Sequence, residues 1–159
     1  MTAYTFLTVH RTSPDAMAAA LADVVGVTAA EVDVSDDSDG HRDWSAAVLC
    51  HFTDLDGDLA LAWDVYVSAD VEPAPPTEAE AARRLAARLG TTVLRPADGV
   101  RPSAYRAALP DGTSTRARVL DGGTDGNTRP VLIVDAVGKP VGSLPGARVE
   151  PIREAGQDG

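Results

Sequence analysis

Apolar positions along the chain change period several times, and each change marks an element. Tyr4 to His10 alternates around aromatic and β-branched residues, the period-2 signature of a strand. Met17, Ala20, Leu21 and Val24 then recur at helical spacing. Ser13 can accept an amide at the start of that helix, Pro14 fits its first turn, Asp15 suits the positive end of its dipole and Gly26 can end it. A weaker alternation covers Glu31 to Ser35. The strongest strand signals are Trp44 to Thr53 and Leu59 to Ala69; the turn Asp54-Leu55-Asp56-Gly57-Asp58 between them predicts a β-hairpin. In its second strand Leu59, Leu61, Trp63, Val65 and Val67 share the face expected to meet the core, while Ala60, Ala62, Asp64, Tyr66 and Ser68 share the other. Val71 to Pro76 is too rich in proline for a ladder. Thr77 and Glu80 have capping-box spacing and open a helix to Leu89, with Ala82, Leu85, Ala86 and Leu89 on its apolar side and Gly90 as its stop. Thr91 to Leu94 reads as a short strand.

The order to this point, β-α-β-β-β-α-β, resembles a ferredoxin-like α+β sandwich with one extra strand, a likeness of fold that implies no activity. Arg95 to Pro102 reads as a linker, after which the texture changes to short strands and Gly/Pro turns. Ala104 to Leu109 and Thr113 to Leu120 flank the hairpin turn Pro110-Asp111-Gly112; Pro130 to Ala136 and Ala147 to Ile152 are further strand candidates. Asp121 to Thr128 and the last six residues read as mobile. This stretch resembles a small SH3-like β-barrel or meander. Two units are therefore expected, an α+β sandwich over 1–97 and a small all-β subdomain over 102–153. A unit of roughly 50 residues buries too little surface to be stable alone, so the second is expected to dock on the first and share its core.

Composition narrows the class. A chain of 159 residues with 44% hydrophobic content can build a real core. It has no run of about 18 apolar residues and no basic, apolar start, which argues against membrane and secreted readings. The single cysteine, Cys50, allows no intrachain disulfide, so a cytoplasmic setting is expected. Charge is more informative, because 24 acidic against 14 basic residues leave a formal net charge of -10. The excess is lopsided: residues 1–76 hold 14 acidic and two basic residues, whereas residues 77–159 hold 10 acidic and 12 basic. Such a chain repels nucleic acid and suits a basic protein partner, although salt adaptation produces the same surface without any partner.

Candidate chemistry is sparse, and nothing points to a cofactor. The loop Ser35 to Asp43 places Ser35, Asp37, Asp39 and Gly40 at positions 1, 3, 5 and 6 of an EF-hand-like loop, but position 12 is Ala46 where a bidentate Glu is needed. A solvated acidic loop is the better reading, and three scattered histidines give no metal spacing either. Cys50 and His51 are adjacent, so on a strand they face opposite ways and cannot pair. Asp64 and Tyr66 share a face that His10 could join, giving a candidate ligand face. Arg106, Arg116 and Arg118 could cluster on the late hairpin and grip an anion, with ion pairing to the acidic first half as the plainer alternative. Of the tryptophans, Trp63 belongs to the core pattern and Trp44 suits an interface. These features predict a non-enzymatic protein that engages a basic protein through Asp36, Asp37, Asp39, Asp43, Trp44, Asp54, Asp56 and Asp58. An immunity protein or antitoxin against a nuclease-like toxin is the sharpest form of that expectation. A small-molecule site or enzyme near Asp64 and Tyr66 is the alternative.

Overall fold

The structure of the chain, a computed structural model, describes residues 2–36, 43–97, 102–123 and 129–152. In chain order these form β1 (Thr2–Thr8), α1 (Pro14–Val25), β2 (Val32–Ser35), β3 (Val48–Asp54), β4 (Asp56–Gly57), β5 (Leu61–Val67), α2 (Glu78–Leu89), β6 (Val93–Pro96), β7 (Ala104–Ala108), β8 (Ser114–Gly123), β9 (Val131–Val137) and β10 (Arg148–Val149). The fold is α+β: one mixed sheet of ten strands runs β10-β9-β8-β7-β6-β1-β5-β3-β2, and β4 pairs with β9 away from that path. Among the described residues no helix is long and apolar enough to cross a membrane.

Both helices begin and end where local chemistry dictates. Ser13 Oγ accepts the amide of Ala16 at 3.1 Å, and Gly26 closes α1 in the left-handed region at φ 90°. Thr77 Oγ1 accepts the amide of Glu80 at 3.2 Å, and Gly90 closes α2 at φ 67°. The Glu80 carboxylate, expected to complete a capping box, instead takes hydrogen bonds from Arg83 and Arg84, one and the same turn further along the helix surface. That box forms at Thr28 and Glu31, around a short 3₁₀ turn.

The sheet feeds two separate cores. On one face Tyr4, Phe6, Val48, Cys50, Phe52, Leu61, Trp63, Val65, Val67 and Val93 meet Met17, Leu21, Val24, Ala82 and Leu85 of the helices. Trp63 is fully buried there, packs on Phe52 at 5.4 Å between ring centroids, and donates its indole N–H to Thr8 Oγ1 at 3.1 Å. On the opposite face Leu7, Leu94, Ala107, Ala117, Val119, Val134 and Val137 gather with Leu55, Leu59, Val141 and Leu144. Leu59, expected on the same core-facing side as Leu61 and Trp63, is buried in this second core instead, because the chain before β5 turns away to pair elsewhere.

That turn is the unexpected part of the topology. β4 lies inside the connection between β3 and β5 and pairs parallel with β9, with Asp56 opposite Val131 and Gly57 opposite Leu132. The amide of Asp56 donates to the carbonyl of Pro130, and that of Asp58 to the carbonyl of Leu132, both at 2.9 Å. Strands β5, β1, β6, β7, β8 and β9 thus come round to the connection from which β5 starts, and the second core lies inside.

Three expected boundaries differ. Trp44 to Ala47 precede β3 as a turn, fixed by Asp43. Asp121 to Gly123 continue β8 against β9 across a register shift instead of starting a mobile loop. Ala147 to Ile152 shrinks to the two-residue β10, parallel to β9. The residues 98–101 and 124–128 and those from 153 onward, which hold parts of the expected linker, loop and tail, lie outside the described residues.

Gly57 carries φ 98°, and a Cβ built there would lie 2.3 Å from the Leu132 carbonyl oxygen; Gly112, at φ 89°, has open space around it. Alanine at either position costs about 1–3 kcal/mol of backbone strain. Gly57→Ala should lose at least about 1 kcal/mol more than Gly112→Ala, because the two strands must also part. Urea unfolding of the two variants measures the difference, and equal losses would show that the β4–β9 approach is no constraint.

Candidate functional site

The carboxylates expected to steer a partner divide into two groups. Those of the hairpin connection are used inside the chain. Asp54 pairs with Arg11 at 2.6 Å, Asp56 stands 3.9 Å from Arg129, and Asp58 Oδ2 accepts the amide of Val134 at 2.9 Å. Asp56 and Asp58 hold the connection onto β9, while Asp54 ties its start to the segment between β1 and α1, roles that the local sequence pattern does not announce. Asp36 follows β2 and is half-buried, while Asp37, Asp39 and His41 lie outside the described residues.

The second group surrounds Trp44. Asp43 Oδ1 accepts from the amide of Ser45 at 3.1 Å and from its hydroxyl at 2.5 Å, and the Asp43 carbonyl accepts the amide of Ala46 at 3.1 Å. This Asx turn is anchored to the sheet by Asp33, whose Oδ2 accepts the Asp43 amide at 3.1 Å. The turn presents Trp44 with 76% of its surface exposed. Beside it opens a cleft of about 500 Å³, bounded by the 3₁₀ turn, the residues before β3 and those after β5. Glu31, Asp43, Asp70 and Glu72 line it, and among its described lining residues there is no basic side chain. Local reading had marked Asp43 and Trp44; Glu31, Asp70 and Glu72 come from three separate segments, and only the pairing of β2 and β5 with β3 brings them together.

The other candidate face lies on the sheet side away from the helices. In register across four strands stand Asp33, Leu49, Tyr66 and Ala3, and beside them Ser35, His51, Asp64 and Thr5. Tyr66 is 41% exposed and Asp64 half-buried. His10 does not join them, since Asp64 pairs with Thr5 and His10 lies beyond the far end of β1. Instead the His10 amide donates to Thr91 Oγ1 at 3.2 Å and its Nδ1 lies 3.1 Å from the same oxygen, at the rim of a different cavity of about 280 Å³. The residue that sequence reasoning missed on this face is His51, which strand alternation places beside Asp64 once β3 is aligned with β5. Cys50 points the other way into the core, as alternation requires. Among the described residues no group of three or more His, Cys, Asp or Glu gathers to hold a metal ion.

The arginines of the second half are sorted by register. Arg118 is taken by Asp135, with a short hydrogen bond and a second from Nε at 2.8 Å, and by Glu150 at 3.1 Å; Arg148 joins Asp135 at 3.1 Å. Its partners thus come from the second half of the chain, not from the acidic first half. Arg106 stands directly opposite Arg116 on β8 and directly opposite Arg95 on β6. Arg95 falls in the segment expected to be a linker; β6 extends through Pro96 and carries it into the row.

Hydrogen bonds from Arg118, and then from Arg148, hold the Asp135 carboxyl below the usual carboxylate range. A lowered folded-state value means that this stabilisation is complete above the ordinary aspartate range, about 3.9, and is lost as pH falls through the lowered value. Asp135→Asn should therefore be less stable than the native chain at neutral pH, with the gap closing in acid; urea midpoints measured across that range check it. Comparison of the chain with protein families, with curated proteins and with solved structures gives no match.

Proposed function

We propose that this chain is a non-catalytic binding protein whose acidic cleft beside Trp44 receives a basic segment of a protein partner. The observation that carries the reading is the combination of a concave space of about 500 Å³, four lining carboxylates and a largely exposed indole on a fixed turn. Carboxylates focused in a cleft raise the local concentration of a cationic partner and speed its encounter. An exposed aromatic ring supplies apolar contact and a cation–π face for arginine or lysine. The sharpest form of this function is that of a cytoplasmic immunity protein or antitoxin, which covers the basic groove of a toxin or nuclease with its own carboxylates. The net charge of -10, concentrated in the first half, supports that form.

Two features of the fold fit the expected architecture. The order β6-β1-β5-β3 is antiparallel throughout, with helices following β1 and β5, and supports a ferredoxin-like description of the first part with β2 added at its edge. The return of β9 to β4 supports a barrel-like second part. Neither likeness bears on activity. A second reading, a small-molecule site or enzyme on the face of Asp64 and Tyr66, draws support from the exposure of Tyr66 on a side that the helices leave uncovered.

Because Trp63 is fully buried and Trp44 is exposed, a ligand in the cleft should change the emission of Trp44 alone. An arginine-rich peptide is expected to shift that emission at low salt and to lose its effect near 1 M salt, where screening acts within about 3 Å. Asp43→Asn keeps an oxygen for the Asx turn while removing a charge, and combined with Asp70→Asn and Glu72→Gln it should weaken binding by about tenfold or more. Asp54→Asn with Asp56→Asn should leave it unchanged. Equal effects of both sets would sink the assignment to this cleft.

A further inference from the structure

Thr8 pairs with Val93 and Val93 with Ala108, so the end of β1, the start of β6 and the end of β7 meet at one end of the sheet. The cavity of about 280 Å³ beside His10 opens there. Thr91, Thr92, Asp111 and Ser143 supply the rest of its polar lining. The two threonines join α2 to β6, Asp111 lies in the turn between β7 and β8, and Ser143 lies between β9 and β10. Thr91 and Thr92 are each only 2% exposed, so their hydroxyls must find partners in the protein or in the cavity.

The bonds these side chains make do not use up what they offer. Thr92 Oγ1 and Ser143 Oγ lie 3.1 Å apart. A pair of hydroxyls sharing one hydrogen bond spends one of its protons, and the other has no acceptor among the described residues. Thr91 Oγ1 accepts the His10 amide and lies 3.1 Å from His10 Nδ1, which leaves Nε2 of the ring for another partner. Asp111 accepts the amide and the hydroxyl of Thr113 on the same oxygen, Oδ1, so Oδ2 keeps its lone pairs. Groups able to donate and to accept thus converge from separate segments on a space several times the ~30 Å³ occupied by one water.

We propose that this cavity binds a neutral saccharide ring. Sugar hydroxyls both donate and accept, which matches the spare proton of the Thr92 and Ser143 pair, His10 Nε2 and Asp111 Oδ2. Leu109, Pro110 and Val141 give the C–H face of the ring an apolar wall. Hydrogen bonds from Thr113, and after them the charge of Lys139, hold the Asp111 carboxyl below the usual carboxylate range, so at neutral pH it is ionised and repels an anion. The charge of Lys139 disfavours a cation in turn, and no arginine or lysine stands among the described lining residues. The cavity shares no lining residue with the acidic cleft beside Trp44, so the two sites stand or fall separately.

Amide NMR of the full chain with glucose, galactose and ribose tests the site. At least one of these sugars should bind with a Kd of about 10 mM or below and shift the amides of Thr92, Asp111 and Ser143. Asp111→Asn keeps Oδ1 for Thr113 while replacing the second acceptor by a donor, and should weaken that sugar by about tenfold. Ser143→Ala should weaken it by about fivefold, and Asp70→Asn, in the acidic cleft, should leave it unchanged. Asp111 lies in an exposed turn, so its variant reads out the site even if Ser143→Ala, which loses the bond to buried Thr92, does not fold. The proposal is overturned if none of the sugars shifts those amides at about 100 mM, or if Asp111→Asn binds as the native chain does. Choline binding more tightly than every sugar would overturn it in favour of a cation site.

Discussion

Three pairs of neighbouring residues, Phe6 and Leu7, Val93 and Leu94, and Ala107 and Ala108, are buried on opposite faces of the same strands. Everything else in the molecule is arranged around this constraint. A strand with apolar side chains on both faces is stable only if both faces are covered. The helices cover one face over β1, β3, β5 and β6. Over β1, β6 and β7 the other face is covered by the sheet itself, which curls through β8 and β9 back to the connection between β3 and β5. Where that curl ends, the sheet is left open, and there Tyr66, Asp64 and His51 meet solvent in part.

The same geometry sorts the charges. Carboxylates near the returning strand are consumed inside the chain: Asp56 and Asp58 hold that strand through Arg129 and the Val134 amide, and Asp54 pairs with Arg11. At the opposite end of β3 and β5 Glu31 and Asp43 brace only their own turns and, with Asp70 and Glu72, line a cleft. On the outer face of the second half Arg118 and Arg148 pair with Asp135 and Glu150, while Arg95, Arg106 and Arg116 stand opposite one another across β6, β7 and β8, Arg116 also donating to the Ile152 carbonyl. A net charge of -10 therefore hides an acidic cleft and a basic row.

Much of this was legible locally. Ser13, Gly26, Thr77 and Gly90 fix the ends of both helices by chemistry that acts within one turn, and the alternation around Trp63 assigns its strand face correctly. The fate of Asp56 and Gly57 was not legible, because two residues in a hairpin connection carry no sign that a distant strand will pair with them. For the same reason alternation puts Leu59 on the face of Trp63 although it is buried in the other core, and the acidic connection reads as a plain hairpin turn with its carboxylates turned to a partner. The turn before β3 could have been found, since Asp43-Trp44-Ser45 has the composition of an Asx turn. Arg95 was hidden by Pro96, which suggested a linker; the residue ends a strand whose last position tolerates proline.

The bond between Asp58 and the Val134 amide joins residues 76 positions apart. A ribosome adding about 5–20 residues per second needs roughly 4–15 s to deliver the second partner after the first. During that interval the helix-covered half can assemble, yet Leu7, Leu55, Leu59 and Leu94 have nothing to close over them. Vectorial synthesis thus exposes an apolar sheet face for seconds in every nascent copy, so in a cell the chain's yield depends on what shields that face until β9 arrives.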